Sequence, residues 1–333
     1  MSGTQKSFGQ IVEDFNQTAI TNFNKQYESL EPELAGLAFK YNSGNVAQSN
    51  IFINHLFSTV LDWKGTQPYK SIDDVTKQSI VHKEKCIEGL EIPNREFKRA
   101  QSANNITGLD MYIKSIGAQA KQAKDAPFEE VLDLLEAGAS DTYGTCFDNQ
   151  NMFDTTHAFD SSAGSQSNLL TGAGATLAQL SSDMKRAVAA LRGFYYSVDK
   201  ADSANKKKRM LNKGNLNLVV VCDPSLSSLF DDLRTIENIV VDSNGGSQTN
   251  SLRNTFSVVV RPMTDTNDWY VIDTSDPLVR PIMISMEDEG KLITPQDNPE
   301  ALANLQALRY AYNQMSYGLA YGAWWKAVKV SNA

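Results

Sequence analysis

"TYGTCFDNQNMFDTTHAFD", residues 142–160, is the stretch on which the reading of this chain turns. It gathers Cys146, Asp148, Asp154, His157 and Asp160 among several threonines. Those are the residue types of a nucleophile, a base and a group that orients the base. If Cys146 met His157, with Asp154 or Asp160 holding the imidazole, the stretch would be the centre of a Cys/His hydrolase. The residues around Cys146 carry no nucleophile signature, however, and short cysteine motifs do not transfer between families. A histidine in a polar loop is more often a hydrogen-bonding strut. Phe153 and His157 are therefore read as structural, packing and pinning the loop.

Composition supports the plainer reading. The 333 residues include 31 Lys plus Arg and 39 Asp plus Glu, so 31 − 39 gives a net charge of −8. That balance argues against a protein that grips nucleic acid by broad phosphate neutralisation. Apolar runs such as "LVVV" at 218–221 are far too short to cross a bilayer, so no membrane partner is expected. The first ten residues lack the basic and apolar regions of a secretory signal, and the chain is expected to be made in the cytoplasm. Cys86, Cys146 and Cys222 are odd in number and far apart, fitting reduced structural thiols. With only His55, His82 and His157, a multi-histidine metal site is not expected, nor any cofactor. "TGAGAT", 171–176, lacks the glycine spacing of a phosphate loop, has no clear strand before it, and reads as a flexible entry to a helix. "NKKKR", with Lys206, Lys207, Lys208 and Arg209, reads as a solvated loop.

The hydrophobic pattern is mixed α+β without strict alternation. Phe8, Ile11, Val12 and Phe15 recur at helical spacing. Residues 70–98 are dense in charge, with a short strand pattern at Leu90–Ile92 and no helical stripe; such a stretch needs another surface to lie against. Leu109, Tyr112, Ile113, Ile116 and Ala120 make the strongest helical face in the chain, interrupted at "KDAP", where Asp125 could cap a helix starting at Pro127, so that the segment reads as one long helix, whole or broken, or as two in line. Further on, 177–191 and 224–233 predict helices, the latter capped by Asp223. "LNLVVV", "FSVVV", "WYVID", "RPIMIS" and "WWKAVKV" predict strands.

Taken in order, these landmarks resemble the Mu-like phage major head subunit family. The resemblance is carried by Asp148, Phe153 and His157 in the opening stretch, followed by Asn168 and Leu169 in "SQSNLL". It continues in the Trp63 and Gly65 turn of "DWKGTQPYK", in Trp269 and Pro281 of "TNDWYVIDTSDPLVRPIMIS", and in Trp324 and Trp325 of "YGLAYGAWWKAVKV". Together the segments span roughly residues 50 to 330.

The resemblance implies the α+β Hong Kong 97-type capsid fold: an N-terminal arm and helices (1–63), an extended-loop hairpin (64–98), a peripheral domain (99–170 and 256–333) with a spine helix at 108–138, and a central domain (171–255). On the extended loop it implies Lys83, Lys85, Glu88, Glu91, Arg95 and Lys98 as inter-subunit residues. The implied function is that of a tailed-phage major capsid protein, not an enzyme, self-assembling into hexameric and pentameric capsomers and an icosahedral shell around double-stranded DNA. Implied partners are other copies of the chain, a portal, scaffold or decoration proteins, and weakly held DNA, all within the virion. The hydrolase, and another phage structural subunit such as a tail component, are the alternatives.

Overall fold

A computed structural model describes residues 5–44, 48–52, 77–159, 163–197, 208–240, 246–289, 291–295, 307–312 and 315–332. Helix α1 (Phe8–Ser29) starts where Ser7 and Gln10 form a reciprocal capping box and buries Ile11, Phe15, Ala19 and Phe23. Then come β1 (Ala38–Asn42), β2 (Gln48–Phe52), β3 (Lys77–Val81), β4 (Lys83–Lys85), β5 (Leu90–Pro93), α2 (Asn94–Ser102) and α3 (Asp110–Glu136). The second half adds β6 (Leu169–Thr171), α4 (Leu177–Gly193), β7 (Tyr195–Ser197), β8 (Lys208–Met210), β9 (Leu218–Cys222), α5 (Pro224–Thr235), β10 (Asn238–Val240) and β11 (Ser247–Thr249). The last strands are β12 (Phe256–Val260), β13 (Trp269–Asp273), β14 (Ile282–Asp288), β15 (Leu292–Ile293), β16 (Ala307–Tyr312), β17 (Met315–Tyr321) and β18 (Ala327–Ser331).

Two layered bodies share these elements. In the first, α1 and α3 pack together beside a four-stranded sheet ordered β1-β14-β17-β4. Gly117 lets the helices close, since a Cβ there would lie 2.6 Å from the Asn22 amide nitrogen, and that nitrogen donates to the Ile113 carbonyl. Tyr317 and Tyr321 of β17 tie the sheet to α3 by hydroxyl bonds to the Glu130 carboxylate and the Leu134 carbonyl. The second body is a five-stranded sheet ordered β12-β9-β13-β18-β6, with α4 over β13 and β18 and α5 over β12. Asp223 caps α5 through the Ser225 amide, and Pro224 occupies the first turn, where no N–H is needed.

One open reading is settled and several expectations are corrected. Helix α3 is the single long helix of the two readings, running unbroken through Pro127, which is itself buried along with Ala123, Phe128 and Val131. Burial of that face outweighs the lost backbone bond, as tertiary packing commonly does. The two-stranded hairpin is formed by β2 and β3, paired from Gln48↔Val81 to Phe52↔Lys77, and so begins before residue 64 and ends before 98. Beyond it the chain returns to its own body: β4 pairs with β17, β5 with β16, and "NREFKRAQS" folds as α2 with Phe97 and Ala100 buried. A division at 255/256 does not follow the sheets either, because β12, β13 and β18 pair with β9 and β6. Strand β6 does precede "GAGAT", and that loop is tied down, with the Ala173 amide donating to Asp183 and the Gly174 amide to Asn332. Those amides are spent within the chain and offer nothing to a phosphate. Trp63, Gly65, His55, Lys206 and Lys207 lie outside the described residues; Lys208 sits over the Tyr195 ring at 4.2 Å.

Candidate functional site

Residues 146–159 of the quoted stretch, whose Asp160 lies outside the described residues, form a junction where the end of α3 meets the five-stranded sheet, with Cys146, Phe147, Met152, Phe153 and His157 buried in it. A turn at Ala137–Ala139 ends α3, and the Phe153 amide donates to the Gly138 carbonyl at 2.8 Å. Gly138 is required there, because a Cβ would lie 2.7 Å from the Phe153 ring. Phe153 packs on Tyr270 of β13, centroids 5.3 Å apart. Burial, and the nearby Asp268 carboxylate, push the Tyr270 phenol well above the ordinary tyrosine range.

His157 is fully buried, its ring stacked on Trp324 with centroids 4.4 Å apart and planes 7° from parallel. Its Nδ1 lies 2.8 Å from Asp148 Oδ2 and its Nε2 3.2 Å from the Met152 carbonyl. Asp148 also accepts the amides of Gln150 and Ala158, closing the loop around its own carboxylate. Asn168 ties two segments of the same junction together, the 152–154 loop and the turn at Trp324. Its Oδ1 accepts the Asp154 amide at 2.9 Å, and its Nδ2 donates to the carbonyls of Met152 (2.7 Å) and Trp324 (3.1 Å). Leu169 then opens β6 opposite Lys329. Trp324 and Trp325 pack edge to face, and Trp325 meets Phe147 and Phe159. Trp269 sits on the helix-covered side of the sheet against Phe230, and the Pro281 carbonyl accepts the Gly322 amide.

Sequence reading missed two partners of this junction. Gln166 brackets Tyr195, accepting its amide and donating to its carbonyl. Asn212 does for the Trp325 carbonyl what Asn168 does for that of Trp324, at 2.7 Å. Gln166 lies inside the "SQSNLL" landmark and was open to notice; nothing local marks Asn212.

No nucleophile and base are brought together. The sulfur of Cys146 neighbours Met152 Sδ at 3.8 Å, and both nitrogens of His157 are committed elsewhere. Burial, with the Asp148 charge beside it, drives the Cys146 thiol well above the ordinary thiol range, so it carries little thiolate. The hydrolase alternative has no geometry behind it. Among the described residues, no group of three or more His, Cys, Asp or Glu is arranged to hold a metal, and no helix is long and apolar enough to cross a membrane.

Of the six expected inter-subunit residues, three have side chains paired within the chain. Lys85 pairs with Glu130 at 2.9 Å, Glu91 with Arg309 at 2.9 Å, and Arg95 with Glu96 at 3.1 Å. The Glu88 carbonyl accepts the Gln119 amide and that of Lys98 accepts the Ser102 hydroxyl, while Lys83 is an exposed position of β4 opposite Tyr317.

Comparison with known proteins agrees with this architecture. The family model of the Mu-like prophage major head subunit gpT matches residues 12–213. Among solved structures, the procapsid of bacteriophage JBD30 is similar at a TM-score of 0.50 and 15% identity, covering 97% of this chain and 76% of that one. The capsid of cyanophage P-SCSP1u gives 0.47 at 12% identity over 89% and 86% of the two chains. Mycobacterium phage Patience gives 0.47 at 11% over 100% and 90%. No curated protein sequence matches. The likeness to the JBD30 procapsid is one of fold, the Hong Kong 97-type capsid fold.

Proposed function

The chain belongs to the Mu-like prophage major head subunit gpT family, a family of structural capsid proteins and not of enzymes, and from that premise we propose how it builds a shell. Copies assemble into hexameric and pentameric capsomers and these into an icosahedral head around double-stranded DNA. The family match over 12–213 carries this reading. In these terms α1, α3 and the four-stranded sheet form the peripheral domain, with α3 as its spine. The five-stranded sheet with α4 and α5 forms the central domain, and the β2–β3 hairpin is the root of the extended loop. A hairpin of two strands is marginal in water by itself, which suits one that lies on a neighbouring subunit. Identical subunits joined by repeated head-to-tail contacts close into rings and shells, and many modest interfaces acting together need no covalent chemistry. The net charge of −8 suits weak, non-specific contact with packaged DNA, since a strongly basic wall would retain it. Portal, scaffold and decoration proteins are further partners in the virion, and synthesis takes place in the host cytoplasm.

Sedimentation velocity and negative-stain microscopy of the purified protein test this reading. Capsomers, shells or tubes are expected; a compact monomer that persists under assembly conditions would contradict it.

A further inference from the structure

At one end of the five-stranded sheet, the turn between β13 and β14 carries Asp276, Pro277 and Leu278. Leu278 is 60% exposed, and the turn that presents it is held firmly. Its amide donates to Asp276 Oδ1 at 2.9 Å, and the Arg280 guanidinium donates to the Asp276 carbonyl. A single exposed leucine is ordinary; the cavity beside it gives this one meaning.

That cavity, of about 970 Å³, opens between α4 and the starts of β9 and β12. Val188, Leu216 and Leu252 supply apolar lining, Lys185 and Arg192 supply charge, and among the described residues no carboxylate lines it. Neighbouring cations are already paired: Arg186 with Asp183, Arg234 with Asp231, Arg253 with Glu237. Lys185 and Arg192 have no carboxylate partner among the described residues, in a chain whose net charge is −8. The cavity and the turn meet at Asn217, which lines the first and whose carbonyl accepts the Thr274 amide at 2.7 Å at the root of the second.

We propose that the cavity receives the Asp276–Leu278 turn of a second copy of this chain, with Leu278 on the apolar lining and the Asp276 carboxylate facing Lys185 and Arg192. Charge and apolar character are complementary, and the turn is preorganised, which reduces the entropy lost on docking. Because knob and cavity lie at the same end of the sheet, a head-to-tail series of such contacts brings that end of every copy toward a common axis. The proposal rests on the self-assembly reading and names one of its contacts.

Two proteins with one introduced cysteine each test it, Val188→Cys and Leu278→Cys, both combined with Cys86→Ser to remove the exposed native thiol and leave only the buried Cys146 and Cys222. Mixed, assembled and oxidised, they are expected to give a disulfide-linked dimer on a non-reducing gel, which neither gives alone. Particles that form from the mixture without that dimer would overturn the contact and leave the capsid reading standing. Absence of particles from the unmodified protein as well would remove the assembly reading and this contact with it. In a second arm, Asp276→Lys is expected to lose assembly while keeping a cooperative melting transition, and adding Lys185→Glu and Arg192→Glu is expected to restore assembly, which loss of the turn's own hydrogen bond would not allow. Assembly of Asp276→Lys at the normal level would overturn the charge pairing.

Discussion

His157 Nε2 and Asn168 Nδ2 converge on one acceptor, the Met152 carbonyl, at 3.2 and 2.7 Å. The two side chains thereby lock a single loop against one residue of another element, since His157 also stacks on the Trp324 ring and Asn168 also holds the Trp324 carbonyl. His157→Ala strips a hydrogen-bond partner from the buried Asp148 and removes the stacked ring. A loss of about 2–4 kcal/mol in denaturant unfolding is expected. Asn168→Ala is expected to cost a similar amount, about 3 kcal/mol, by leaving buried backbone groups unsatisfied. Sharing an acceptor, the two are not independent, and the double mutant should depart from additivity by about 0.5–3 kcal/mol. Full additivity would show that the junction is not one unit.

Phe97→Ala is expected to destabilise the subunit by about 3–5 kcal/mol. Phe97 is fully buried and packs edge-on against Phe15, at 5.4 Å, and against Phe8. For the same reason, deleting residues 70–95 should abolish folding and not only assembly, because β4 and β5 go with them. A soluble, cooperatively melting deletion protein would place this segment outside the core.

How much of this was legible depends on where the information lies. Helix α5 was readable because its cap, its first-turn proline and its apolar face all lie within a dozen residues. Strands β9 and β13 announce themselves by continuous apolar runs. The hairpin boundaries were not readable, because what takes 83–93 back into the body is pairing with β16 and β17, more than two hundred residues away. The division between sheets failed similarly: β18 closes the chain by returning between β13 and β6, and no local pattern encodes a return. At the junction, the residue types were visible but not their partners. His157 faces Asp148 and Met152 and not Cys146, a matter of loop geometry.

The thiols should react in a fixed order. Cys86 is exposed, whereas burial pushes the Cys146 thiol up and raises Cys222 to about 12, the latter with help from Asp223. A thiol-exchange reagent at pH 8 is expected to modify one cysteine per chain rapidly and the other two only on unfolding. Fast modification of Cys146 would contradict its burial.

Stability should fall on the acid side. The Ser225 and Met263 amides donate to the Asp223 carboxylate and hold its pKa below the usual range. At Asp154, burial opposes ionisation, but bonds from the Thr156 hydroxyl and amide outweigh it and lower the pKa. A carboxyl depressed in the folded state stabilises the fold above its unfolded value, about 3.9, and loses that contribution as pH falls toward the folded value. The melting temperature is therefore expected to drop below about pH 4, and less steeply in Asp223→Asn, which can still cap α5. An unchanged slope in that variant would remove Asp223 from the acid response.

The most direct test of the account is a cryo-electron microscopy reconstruction of particles assembled from the full chain. The account predicts a closed shell in which the β2–β3 hairpin of each subunit lies against a neighbour. A reconstruction in which that hairpin touches only its own subunit would contradict it.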